Sequence, residues 1–308
     1  MIRWPYRWRK IEACPGIIPH FGGVQYRVDC LMENGYIRLA KLPKNGLNCE
    51  ARKEKVIVSL TTFPARIEQC FYAIKSLMLQ DYKADKIILW LAESQFPNHQ
   101  LPPKYQQLIS AGLMVRYCED LRSHKKYFYA LQEQKSDELV ITFDDDIIFE
   151  ENAISKLIKM HQKYPNCIIC NRGLQMTVSE QKILPYQKWK LCTPLAVDHP
   201  AYAVMPSTGA GCLYPYGIMP KETFDIEEAK RLAWSADDLW MRFNSLSAGV
   251  LVVKTREKIA TLCNVTGSQR EALTRFNNLE MENNRVIERL LQKFPDVTLR
   301  CLMEEKDV

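Results

Sequence analysis

Two groups of acidic residues stand out in the chain: Asp144-Asp145-Asp146 and Asp237-Asp238. The triplet ends the apolar run Glu138 to Phe143 (ELVITF). Three consecutive carboxylates are electrostatically expensive, because each raises the pKa of its neighbours when unpaired. A bound divalent cation removes the conflict. Mg2+ and Mn2+ take hard oxygen ligands, often one or two carboxylates plus substrate phosphates. Side chains alternate along a strand, so Asp144 and Asp146 are expected to point the same way. One would bind metal while the other meets sugar or ribose hydroxyls. Helix capping by the triplet is the simpler reading. The pair Asp237-Asp238 opens a helical stretch, where an acid either caps the helix or serves as a base.

These residues must be held by a scaffold. Val56 to Thr61, Lys86 to Leu91, Leu113 to Tyr117, Glu138 to Phe143 and Cys167 to Cys170 read as short buried strands. Between them, Ile67, Phe71, Ile74 and Leu77/Met78 recur at helical spacing behind Pro64. Tyr105–Ala111, Lys126–Gln134 and Glu151–Lys163 also read as helices. Alternating strands and helices predict an α/β sheet, mostly parallel. In such a sheet, ligands gather outside the carboxyl ends of the strands, where the triplet lies. Further on, Lys221–Ala229 and Ala236–Leu246 read as helices, Val250–Val253 as a strand and Ser268–Phe294 as a long charged helix. Gly209-Ala210-Gly211 reads as a small-residue turn.

The first fifty residues divide differently. Gln25–Leu31 and Tyr36–Leu42 read as two strands joined through Glu33-Asn34-Gly35, an Asn-Gly hairpin signal. The expected layout is an arm and hairpin over 1–54, a catalytic domain over 55–255 and a helical extension over 256–308.

The series Ser59-Leu60-Thr61-Thr62-Phe63-Pro64-Ala65-Arg66, Lys125-Lys126, Phe143-Asp144-Asp145-Asp146 and Asp237-Asp238 resembles bacterial nucleotide-sugar glycosyltransferases of the GT-A fold, family 2-like. The resemblance spans roughly Val56 to Val253. It implies a GT-A-like sheet and metal-dependent transfer of a sugar, with UDP as the expected nucleotide, to a glycan or lipid-linked hydroxyl with inversion. It implies that Ser59, Thr61, Arg66, Asp120, Lys125, Lys126, Asp144 and Asp145 meet the donor. Asp144 and Asp146 would hold Mn2+ or Mg2+. Asp238 or Asp237 would be the base, and Gly209, Ala210, Gly211 and Trp240 would line the acceptor side. No histidine follows Asp238, so a late histidine ligand is missing. Retaining transfer, nucleotidyl transfer and non-catalytic nucleotide or sugar binding are the rival readings.

Composition narrows the setting. Net charge is +6 over 308 residues, too dilute for a nucleic-acid binder. The 11 cysteines are irregularly spaced, and Cys167-Ile168-Ile169-Cys170 reads as a core strand, not a zinc or redox pair. These features suit a reduced, cytoplasmic protein. No stretch is long and apolar enough to span a membrane. Met1–Lys10 lacks a leader-type apolar run, and its interleaved cations and aromatics suit either contact with an anionic membrane surface at the inner face of the cell membrane or a packed N-terminal arm.

Overall fold

The computed structural model describes residues 21–191, 193–256, 262–268 and 281–303. The expectations for residues 1–10, and for a helix through 269–280, lie outside the described residues.

Helix α1 covers Phe21–Leu39. Strand β1 (Lys55–Thr61) leads through a short turn at Pro64–Arg66 into α2 (Ile67–Met78). Then come β2 (Lys86–Ala92), α3 (Tyr105–Ser110), β3 (Leu113–Cys118), α4 (Lys125–Gln132) and β4 (Glu138–Phe143). A short β5 (Ile147–Ile148) and α5 (Ala153–Lys163) precede β6 (Ile168–Cys170). Small strands β7 (Gly173–Gln175), β8 (Val178–Ser179), β9 (Lys182–Ile183) and β10 (Val204–Pro206) follow. The chain returns to the main sheet with β11 (Ala210–Tyr214). It goes on through α6 (Ile226–Ala233), α7 (Asp237–Ser247), β12 (Val252–Lys254) and β13 (Cys263–Asn264). Two helices, α8 (Glu282–Lys293) and α9 (Asp296–Met303), close the described chain.

The main sheet has seven strands in the order β12-β6-β11-β4-β1-β2-β3. Its neighbours are parallel except at β11, which runs antiparallel to both β4 and β6. This mostly parallel, helix-flanked sheet is the expected GT-A-like α/β arrangement. Alternation along each strand feeds two apolar layers. Val56, Val58 and Leu60 of β1 meet α2, α3 and α5 on one side. Ile57, with Ile88 and Trp90 of β2, meets α4, α6 and α7 on the other. Each such fully buried side chain contributes roughly 1.5–3 kcal/mol. The sheet is covered on both faces, which is why its strands read as continuous apolar runs.

Helix α2 starts where Pro64 occupies the first position of the preceding turn, where its missing N–H costs nothing. Its predicted apolar face is buried, as Phe71, Ile74, Leu77 and Met78 all lie in the core. Cys167 and Cys170 are likewise buried, and burial pushes the Cys170 thiol up to about 12.

The N-terminal hairpin is a correction: Gln25–Leu42 does not form two strands, and residues 21–39 are one helix. Asn34 is not a turn residue but a tertiary anchor. Its amide donates to the Cys30 carbonyl at 2.8 Å and the Asn264 carbonyl at 3.1 Å, and accepts from the Thr266 N–H at 2.8 Å. These bonds, with Ile37 in the core, outweigh a helical penalty of about 1 kcal/mol for Gly35. The Gly209-Ala210-Gly211 turn is also shorter than expected, because Ala210 and Gly211 begin the central strand β11.

Candidate active site

Strands β1, β2 and β3 are laid down successively in one direction. The chain then crosses back to place β4 on the opposite side of β1. The carboxyl ends of β1 and β4 therefore flank a topological switch point, where open α/β sheets hold their ligands. The loop after β1 carries Thr62 and Arg66, and the turn after β4 carries the acid triplet.

Strand β4 ends at Phe143, so the triplet lies in a turn and strand alternation does not reach it. The expected pairing of Asp144 with Asp146 is replaced by another partition. Arg66 binds Asp145 Oδ1 at 2.7 Å through one terminal nitrogen and Asp146 Oδ2 at 2.6 Å through the other. Thr62 Oγ1 donates to Asp145 Oδ2 at 2.5 Å. Asp145 is thus buried with both oxygens engaged. Burial pushes its carboxyl up to about 7; Arg66 opposes the shift, while the Asp146 charge adds to it.

Asp144 turns the other way. Lys126 Nζ lies 2.8 Å from Asp144 Oδ1 and 3.1 Å from Asp237 Oδ2. Lys126 is buried, and against that burial the two carboxylates hold its ammonium above the ordinary lysine range. A buried cation joining two elements is a registration device: losing it would strand two acids. The start of α4 is itself fixed. The Ser59 hydroxyl donates to the Lys126 carbonyl at 2.5 Å and accepts from the Trp90 indole N–H at 3.0 Å.

Behind Asp144 lies the Gly209 backbone. The Asp144 N–H donates to the Gly209 carbonyl at 2.9 Å. A Cβ on Gly209 would lie 1.7 Å from Asp144 Oδ2, so the carboxylate fills the space a side chain would need. Thr142 Oγ1 holds the Thr208 carbonyl at 2.8 Å, and Thr208 Oγ1 reaches Asp237 Oδ2 at 3.5 Å. Gly211 has a φ of +102°, a backbone conformation that suits glycine, and a Cβ there would strike Asn171 at 2.7 Å.

Asp237 and Asp238 form the first turn of α7, whose N-cap is Ala236. Partial positive charge at a helix N-terminus favours carboxylates there. The two acids differ sharply. Asp237 is buried, and Lys126 together with His124 holds it below the usual carboxylate range despite that burial. Asp238 is half-buried and accepts the Leu239 N–H at 2.8 Å. Burial and the neighbouring Asp237 charge push it up to about 7. Lys126 thus favours the charged form of one acid, while burial and that charge favour the protonated form of its neighbour.

The other expected site residues separate into groups. Lys125 Nζ meets Asp120 Oδ1 at 2.6 Å, and Gln95 Nε2 meets Asp120 Oδ2 at 3.0 Å. This second ion pair lies beyond the carboxyl ends of β2 and β3. Thr61 Oγ1 donates to the Trp90 carbonyl at 2.8 Å. Ser59 is fully buried and presents no surface to a ligand. Trp240 is also fully buried, its indole N–H donating to the Thr223 carbonyl at 2.9 Å, so it offers no face for stacking on a sugar. His124 is enclosed between the Tyr127 hydroxyl at 3.0 Å and the Ala233 carbonyl at 3.2 Å.

Three residues that sequence reasoning did not single out belong here: Thr62, Thr208 and Tyr186. Thr62 was in view as the neighbour of Thr61, facing the opposite side of the chain. Burial raises the Tyr186 hydroxyl, and the Asp238 charge adds to the shift. Nothing local in the sequence marked Thr208 or Tyr186.

Among the described residues, no three or more His, Cys, Asp or Glu side chains converge as a metal cage. The available donors are hard carboxylate oxygens. Asp144 keeps 41% of its side chain exposed and has one oxygen seated on the Gly209 backbone, where no Cβ intrudes. Such a donor set fits a Mg2+ or Mn2+ ion that arrives with a diphosphate and takes most of its ligands from it. It does not fit a closed, all-protein site.

No family model matches the chain, and no curated protein matches it. Several solved structures are similar to it. A mannosyltransferase from Pyrobaculum calidifontis, in complex with GDP-Man and Mn2+, is 13% identical, with a TM-score of 0.40, over 75% of this chain. The match spans only 64% of that enzyme's length. A 2-C-methyl-D-erythritol 4-phosphate cytidylyltransferase from Francisella tularensis is 13% identical, with a TM-score of 0.39, over 73% of this chain and 98% of that one. The S. aureus protein TarS is 13% identical, with a TM-score of 0.38, over 66% of this chain and 58% of that one. At these values the likeness carries no argument about chemistry. The GT-A-like fold rests on the strand order itself.

Proposed function

We propose that this protein is a nucleotide-dependent glycosyltransferase that moves a sugar from a nucleoside diphosphate, UDP being the expected one, to a hydroxyl of a glycan or lipid-linked acceptor, with inversion. The observation that carries this reading is the split within Asp237-Asp238: one acid is buried and ion-paired to Lys126 at 3.1 Å, the other is half-buried, with no ion pair among the described residues, and raised by burial and the Asp237 charge. Direct displacement at a sugar carbon needs a base for the acceptor hydroxyl and positive charge near the departing diphosphate. Asp238 is assigned the base. Lys126 is assigned to the diphosphate side, with Asp237 fixing its position. Asp144, the most exposed acid of the triplet, would hold a Mg2+ or Mn2+ ion brought by the diphosphate, which would neutralise leaving-group charge when bound, while Asp146 stays on Arg66. The Lys125–Asp120 pair is assigned to the nucleoside, and Gly209, Ala210 and Gly211 to the floor beneath donor and acceptor. Tyr186 replaces Trp240 as the aromatic candidate on the acceptor side.

Nucleotidyl transfer to a phosphate acceptor is the second reading. Two buried cations, Arg66 and Lys126, flank the acid triplet, each paired with two carboxylates, and a triphosphate with its metal would draw on the same charges. That reaction needs no base, because a phosphate nucleophile is already ionised. Calorimetry with UDP, GDP, CDP and dTDP, each with Mn2+, Mg2+ or EDTA, tests the nucleotide site against an Asp144→Ala/Asp146→Ala variant. Turnover of the matching sugar nucleotide, lost in Asp238→Asn, supports sugar transfer, and NMR of the product anomer reads inversion. Pyrophosphate release from a triphosphate, unaffected by Asp238→Asn, would replace it with nucleotidyl transfer. Absence of binding by well-folded protein under every condition would sink both.

A further inference from the structure

Helix α1 has a docked face and, opposite it, an exposed apolar one. At 100° per residue, Cys30, Glu33, Asn34 and Ile37 share one side. That side is docked: Glu33, Asn34 and Ile37 are buried, and Asn34 holds the end of β13 at Asn264 and the following segment at Thr266. About 180° away, Val28, Leu31, Met32, Gly35 and Leu39 form a second stripe. Its side chains are 42%, 66%, 52% and 86% exposed at Val28, Leu31, Met32 and Leu39. Eight large hydrophobic side chains are exposed among the described residues, and four of them are these. A stripe concentrated on one helix marks an interaction surface, unlike scattered single residues. Gly35, at its centre, has open space where a Cβ would stand.

Charge identifies the partner. Residues 1–44 contain eight Lys and Arg against three acids, a net +5 out of +6 for the whole chain. In sequence, Arg3, Trp4, Arg7 and Trp8 stand ahead of the helix, Arg38 adjoins the last stripe residue Leu39, and Lys41 and Lys44 follow it. A second copy of the chain would bring the same positive charge and be repelled. An anionic lipid surface offers both an apolar layer and the opposite charge.

We infer that α1 is an interfacial helix that lays Val28, Leu31, Met32 and Leu39 into an anionic lipid surface. Among the described residues no helix is long and apolar enough to cross a membrane, so the contact is from one side. The docked face of α1 grips Asn264 and Thr266, and the Val265 N–H donates to the Asp146 carbonyl at 2.7 Å. The lipid surface would therefore lie one helix layer from the acid triplet. On the transferase reading above, that position suits a lipid-linked acceptor.

The test is vesicle flotation of the full chain, without nucleotide, so its result is independent of turnover. Vesicles of phosphatidylcholine alone are compared with vesicles containing about one third phosphatidylglycerol, at roughly 0.1 M and 0.5 M salt. Expected is binding to the anionic vesicles, weakened by salt, and reduced about tenfold or more in Leu31→Gln/Leu39→Gln. Both positions are exposed, so the variant should keep its melting temperature, which is checked in parallel. Three results would overturn the inference. They are no binding to anionic vesicles at low salt, full binding by the folded variant, or a dimer without lipid that the variant abolishes. The last would make the stripe a protein interface.

Discussion

Replacing Gly209 by alanine isolates the role of Asp144. The new Cβ would stand 1.7 Å from Asp144 Oδ2, 1.9 Å from its Cγ and 2.5 Å from Oδ1, where ordinary contact begins near 3.4 Å. Gly209 is not among the glycines with positive φ, so the backbone itself accepts alanine. The carboxylate must therefore retreat by about the difference, roughly 1.7 Å, from a position now fixed against Lys126 at 2.8 Å. Asp144 is 41% exposed and has room to move outward, so the fold should survive with a modest fall in melting temperature. A misplacement of about 1 Å in a reacting assembly costs on the order of 100-fold in rate. Transfer by Gly209→Ala is expected to drop by at least that factor, about 2.7 kcal/mol in barrier. Metal-dependent nucleotide binding should weaken in parallel, read by calorimetry. Because the effect acts through one carboxylate, it should not add to that of Asp144→Ala, and the double variant should match the Asp144 variant alone. Wild-type turnover in folded Gly209→Ala would refute the argument. So would strict additivity, since it would mean that the glycine and the acid act separately.

Three further outcomes follow from the same geometry. With Asp238 near 7 and active only as the carboxylate, kcat/KM should rise about tenfold per pH unit on the acid side and level off above 7; Asp238→Asn should abolish that limb. Arg66→Met strands the buried Asp145 and Asp146, so unfolding in urea should show a loss of about 3–5 kcal/mol at pH 8. The loss should be smaller at pH 5, where the freed acids take up protons; equal losses at both would deny that Arg66 is their counter-ion. Ser59→Ala removes buried hydrogen bonds to Trp90 and Lys126 and should cost about 1–3 kcal/mol of stability, with nucleotide affinity changed less than about twofold. A large affinity loss without destabilisation would instead put Ser59 at the ligand.

Strands β1 to β4 and helices α2 to α5 were legible from periodicity, because each strand is buried on both faces and each helix docks one apolar stripe. The placement of the acid triplet at the carboxyl end of β4 followed from that alternation, whereas the strand order that makes this end a switch point came from the structure. What failed were inferences that depend on distant partners. Asn34-Gly35 carries a strong local turn signal, but the bonds from Asn34 to Asn264 and Thr266 are more than 200 residues removed in sequence. The triplet's faces could not be inferred from alternation because β4 stops at Phe143, and Arg66 and Lys126 then pull neighbouring acids apart. Trp240 beside an acid pair looked like a stacking platform, yet the ring lies inside the layer formed with α6 and α8.

The antiparallel strand β11 also bears on how the molecule assembles. It is the only partner of β4 on that side, and it enters the sequence some seventy residues later. Until it arrives, β4 presents the edge of an entirely buried, apolar strand, ELVITF. Such an edge is a template for pairing with the wrong chain. Closing it requires a long loop, so the step is entropically slow relative to the local βαβ contacts that precede it. The same event brings Gly209 under Asp144. Folding intermediates of this protein should therefore be aggregation-prone and unable to bind nucleotide, gaining solubility and a binding site in one transition.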